Sequence, residues 1–111
     1  MKNWMRVFGA GSMLAVQTTG WAASVGFTAH LTSITAIGDG RSVLQFDALS
    51  SSCPATPQGF YVAAGQNGVT ADGAKSILST AFLAFALGKT LNIFFDSSTS
   101  YCYVSQAIVI E

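Results

Sequence analysis

Charge is scarce in this sequence: Asp, Glu, Lys and Arg make up 9% of its 111 residues, with five cations against five anions. The cations do not cluster. Nucleic-acid binding rests on grouped Lys and Arg that displace phosphate counterions, so nucleic acid is excluded as a partner. Histidine occurs once, as His30, and cysteine twice, as Cys53 and Cys102. A zinc site wants further ligands at short spacing, and no other cofactor is implied. Low-complexity tracts and internal repeats are also missing. So is an uninterrupted apolar run of the about 20 residues that a membrane span needs.

What is present begins with a compartment signal. Lys2 and Arg6 form a basic start, Val7 to Val16 is mildly apolar, and small residues then reach Gly20-Trp21-Ala22. Small side chains at the −3 and −1 positions complete the layout of a secretory signal. Gly9, Gly11, Ser12 and Gln17 break the apolar run, which argues against retention as an anchor. A signal peptide over 1–22 and one domain over 23–111 are therefore expected, in the periplasm or outside the cell. That domain carries Arg41, Lys75 and Lys89 against Asp39, Asp47, Asp72, Asp96 and Glu111, a formal charge of −2. An even cysteine count in an oxidising compartment argues for one disulfide over a catalytic or metal-binding thiol pair. Closing a loop of about 50 residues stabilises by about 4 kcal/mol in the chain-entropy model, and measured gains are often smaller.

The pattern predicts five strands and one helix. Val25, Phe27, Ala29 and Leu31 alternate with smaller or polar residues, and the phase then slips to Ile34 and Ile37. A long strand that changes phase midway suggests a bulge or a barrel corner. Gly38-Asp39-Gly40 signals a hairpin, and Ser42 to Ala48 reads as the second strand. A loop rich in Ser, Pro and Thr runs from Leu49 to Gln58 and holds Cys53, followed by a short strand from Gly59 to Ala64. Thr90 to Asp96 and Tyr101 to Glu111 supply the last two strands, with a turn over Ser97 to Ser100.

Between the third and fourth strands lies a near-miss of a phosphate-binding loop. Gly68, Gly73, Lys75 and Ser76 fall one residue out of step with G-x-x-x-x-G-K-S, because Ala74 separates the glycine from the lysine. A nucleotide cradle needs that spacing, a strand feeding the glycines and an acid for magnesium. Helix signals are complete instead. Thr70 is a suitable N-cap, Asp72 complements the dipole, and Gly88 is placed as a left-handed C-cap. Ala74, Ala81, Phe85 and Leu78 make the expected core stripe, flanked by Ile77 and Phe82. Leu83 and Leu87 fall on the opposite face, about one turn apart among small residues. They are candidates for a homo-oligomer interface, with Phe85 kept in each subunit's own core.

The order β-β-β-α-β-β, with a bent first strand, is that of a mainly β fold with one α-helix: an OB-like five-stranded Greek-key barrel. The run "SILSTAFLAFALGKTLNIFFDSSTSYCYV" resembles the helix-strand-Cys segment of small secreted proteins related to the B subunit of subtilase cytotoxin. In those, a helix ending in small residues and Gly-Lys leads into a strand, a cysteine starts the last strand, and an earlier cysteine precedes the third. The resemblance implies an OB-type barrel, a Cys53–Cys102 disulfide, a ring of subunits and glycan recognition, with room for an exported catalytic partner. No sugar-binding motif matches residue by residue.

Nothing in the residues asks for catalysis. His30 is a polar position on an alternating strand. Asp39 belongs to a turn, Asp72 to a helix start, and the serines fall mostly in loops. Aromatic residues flanked by hydroxyls and amides point to binding instead. Phe94, Tyr101 and Tyr103 stand beside Asn92, Asp96, Ser98, Thr99 and Ser100. An aromatic ring covers the apolar face of a sugar while polar neighbours take its hydroxyls. Phe94, Asp96, Tyr101 and Tyr103 are therefore the candidate ligand-binding residues. The competing role for these aromatics is packing across strands or lining an interface. A non-catalytic binder of a glycan or receptor is expected, or else a structural or inhibitory binder of another exported protein.

Overall fold

The computed structural model describes residues 24–111, so the segment read as a signal peptide lies outside the described residues. Five strands and one helix follow in the expected order: β1 (Ser24–Ala36), β2 (Ser42–Phe46), β3 (Phe60–Val62), α1 (Ala71–Leu87), β4 (Thr90–Asp96) and β5 (Val104–Ile110). The strands form one antiparallel sheet in the order β3-β2-β1-β4-β5. Its two edges approach each other where the Tyr61 N–H donates to the Tyr101 carbonyl at 3.1 Å. This is the OB-like arrangement.

β1 serves both halves of the sheet because it breaks phase. Ser24 to His30 pairs with Asp96 to Thr90 of β4, whereas Leu31 to Ala36 pairs with β2. The register shifts between Leu31 and Ser33, where the apolar alternation slips. There the Thr32 hydroxyl donates to the Gln45 carbonyl, and the Ser33 hydroxyl to Gln45 Oε1. The hairpin to β2 turns at Gly40, whose φ of 97° suits glycine.

β4 alternates strictly: Leu91, Ile93 and Phe95 point inward with no exposure, and Thr90, Asn92, Phe94 and Asp96 point outward. The core they enter is built around Phe60. Its ring stacks on Phe27 at 5.5 Å and meets Phe46 and Phe95 edge to face at 5.4 and 4.9 Å. Such pairs add about 0.5–1.5 kcal/mol each beyond area burial.

The helix starts and stops as its caps dictate. Thr70 Oγ1 accepts from the Gly73 N–H at 2.9 Å, and Gly88 ends the helix at φ 66°. Its buried face differs from expectation. Ile77, Ala81 and Ala84 are buried, Ala74 and Leu78 partly so, and Phe85 is 46% exposed. Ala81 and Ala84 have no exposure at all. With alanines at the contact the helix backbone lies close against the barrel, so the larger Phe85 ring stays at the border. The expectation that Phe85 belongs to the core is therefore corrected. Leu83 and Leu87 do face outward, 53% and 59% exposed, beside exposed Phe82. Among the described residues, no helix is long and apolar enough to cross a membrane.

Candidate functional site

Two loops and one strand meet where the sheet edges converge. The loop from Leu49 to Gln58 folds around a single side chain. Gln58 Nε2 donates to the carbonyls of Ser50 and Cys53, at 2.8 and 3.1 Å, while its Oε1 accepts from the Ser50 N–H at 2.8 Å. The second loop, Ser97 to Tyr103, is tightened by Asp96, whose Oδ1 accepts from both the N–H and the hydroxyl of Ser98. A disulfide joins them: Cys53 and Cys102 are bonded, with Cα atoms 5.9 Å apart and both residues buried. Cys102 does not start the last strand, as the resemblance implied. It sits ahead of β5 in the left-handed region, at φ 47°, with its N–H directed at the Thr99 carbonyl.

This turn throws Tyr101 and Tyr103 to the same side. Their rings stack at 5.4 Å with 29° between planes. Tyr61, the outward residue of β3 between buried Phe60 and Val62, meets Tyr101 edge to face at 5.2 Å and Tyr103 at 6.3 Å. The Arg41 guanidinium lies 5.2 Å above the centre of the Tyr61 ring and is hydrogen-bonded through Nε to Asp39 Oδ2 at 2.8 Å. The Arg41 backbone N–H and then its guanidinium hold the Asp39 carboxyl below the usual carboxylate range. Desolvation alone would lower the Arg41 pKa, but the hydrogen bond and charge of Asp39 outweigh it and raise it.

Beside the tyrosines opens a cleft of about 370 Å³. It is lined by Val43, Gln45, Gly59 and Tyr61 from β2 and the β3 region, by Ala55 to Pro57 of the first loop, and by Ser100 and Tyr101 of the second. Gly59 has a steric reason to be glycine: a Cβ there would stand 2.7 Å from a Val43 methyl. The disulfide therefore ties together the two loops that flank the cleft.

Of the residues singled out from sequence, Tyr101 and Tyr103 come together. Asp96 lies next to them through its backbone, with its N–H donating to the Tyr103 carbonyl, while its carboxylate organises the turn. Phe94 is placed elsewhere, on the outer face of β4, its ring 3.3 Å from where a Gly26 Cβ would be. Sequence alone does not single out Tyr61 or Arg41. The available signal was an aromatic at an outward position of a short strand. Asp47 lies beside the middle of β1, where it receives a hydrogen bond from the His30 N–H, whereas Asp96 pairs with Ser24 at the start of that strand.

No family model, curated protein or solved structure matches this chain.

Proposed function

We propose that this is an exported, non-catalytic binding protein whose tyrosine cleft engages a glycan or glycan-bearing receptor, in the manner of a toxin B subunit. The observation that carries the reading is the Tyr61–Tyr101–Tyr103 cluster bordering a cleft between two loops held by one disulfide. OB-type barrels bind oligosaccharides and oligonucleotides on the face of their second and third strands and on the loops between the first and second and the fourth and fifth. The cleft here is lined from β2, β3 and the β4–β5 loop, and the scarcity of cations disfavours the oligonucleotide. Rings at mutual right angles offer a flat wall and an edge, which suits the apolar faces of a sugar. A glycan array probed with the exported protein and with Tyr101→Ala tests this. Binding that is lost in the variant supports it, and an array without signal defeats it.

The same protein is proposed to be a homo-oligomer. The second half of α1 carries no charged side chain and exposes Phe82, Leu83, Phe85 and Leu87. A helix apolar on nearly all sides is normally covered on all sides. Another copy of the chain is the first occupant; an exported catalytic partner, or a different exported protein that this chain scaffolds or inhibits, is the second reading. Light scattering separates them. An assembly in the wild type that dissociates in folded Leu83→Asp/Leu87→Asp supports the first. A monomeric wild type that co-purifies with one exported protein supports the second.

A further inference from the structure

We infer that the tyrosine cleft takes an uncharged saccharide of one or two rings, and that an acidic group on the sugar adds nothing to binding. The inference rests on the binding reading above and narrows its ligand class. Among the described residues, no Asp, Glu, Lys, Arg or His lines the cleft. Arg41, whose guanidinium lies over the Tyr61 ring, is outside the cleft lining, and its charge is paired with the Asp39 carboxylate through Nε. A sugar carboxylate entering here would give up water and meet no cation in the cleft lining, which is unfavourable.

Neutral hydrogen-bonding capacity is plentiful in the same place. Among the described residues, the hydroxyls of Thr56, Ser100, Tyr61 and Tyr101 have no hydrogen-bond partner, although all four residues line the cleft. Each hydroxyl can donate and accept, so each can meet a sugar hydroxyl in either sense. Tyr101 is 44% exposed, leaving ring surface to stack on the apolar side of a pyranose. The volume lies near the lower end of ligand pockets, which run from about 300 to 1,000 Å³, and so fits a short saccharide. A proline-rich peptide, the other neutral ligand of tyrosine surfaces, docks along an extended aromatic groove. Here the cleft holds about 370 Å³, and its aromatic lining is limited to Tyr61 and Tyr101 among the described residues.

The test uses an array of paired oligosaccharides that differ only by a terminal sialic acid, with a proline-rich dodecapeptide as a separate probe. Wild type, Tyr101→Ala and Tyr101→Phe are compared after circular dichroism shows that each is folded. The expected result is binding to neutral members, no stronger binding to their sialylated partners, and a loss of about tenfold or more in Tyr101→Ala. Tyr101→Phe keeps the stacking ring and should lose less. A sialylated glycan bound more tightly than its neutral core, and dependent on Tyr101, overturns the neutral assignment and leaves the binding reading standing. Absence of any saccharide signal, or a signal unmoved by both Tyr101 variants, overturns both. Binding of the dodecapeptide in place of saccharide, dependent on Tyr101, overturns the sugar assignment.

Discussion

Phe60 and Tyr61 are neighbours on β3, yet they belong to two aromatic clusters with opposite roles. Phe60 faces inward, 1% exposed, and joins Phe27, Phe46 and Phe95. Tyr61 faces outward and joins Tyr101 and Tyr103. Both clusters use the same ring contacts at similar distances. What separates them is the hydroxyl, which needs a partner or water when buried, and the alternation of the strand, which sends successive residues to opposite faces. One cluster gives the barrel its core, while the other leaves polar handles at the surface.

Breaking each cluster should therefore have unequal effects on stability. Phe60→Ala removes a ring that meets three others, and a loss of about 4–5 kcal/mol is expected, the upper part of the range for buried phenylalanine. Urea unfolding followed by circular dichroism measures it, and a loss near that of an exposed residue would mean that Phe60 is not the centre of the core. Cys53→Ser comes next, at about 3 kcal/mol, because the unfolded chain regains the freedom of a loop whose ends are 49 residues apart. It also sharpens the comparison: releasing the two loops should weaken the tyrosine cluster before the phenylalanine core. Tyrosine fluorescence should then change at lower urea than far-UV ellipticity, and coincident transitions would show the two clusters to be one unit. Tyr101→Ala is expected to cost least, about 1 kcal/mol or below, since the ring is partly exposed and loses only surface contacts. A loss comparable to that of Phe60→Ala would make the tyrosines part of the core.

Legibility in the sequence followed the range of the interactions. The caps at Thr70 and Gly88, the hairpin at Gly40 and the bulge after Leu31 depend on residues within a turn or two, so local pattern revealed them. The face that α1 buries depends on the barrel. Helical spacing gives a period but not its phase, and the phase turned out to follow Ile77, Ala81 and Ala84, leaving Phe85 at the edge. The candidate site divides the same way. Tyr101 and Tyr103 were legible because a short hydroxyl-rich turn carries them. Tyr61 lies 40 positions earlier, and only pairing across the closing edges of the sheet brings it to them. Phe94 is close to them in sequence, but strand alternation places it over Gly26.

Whether ligand sits at the tyrosine cleft is tested most directly by chemical-shift mapping, with isotope-labelled protein titrated by the saccharide that gives the strongest array signal. Shifts concentrated in Val43 to Gln45, Thr56 to Tyr61 and Ser98 to Tyr103 are the predicted result. Shifts centred instead on Gly26 and Phe94, or on Phe82 to Leu87 of the helix, would contradict it.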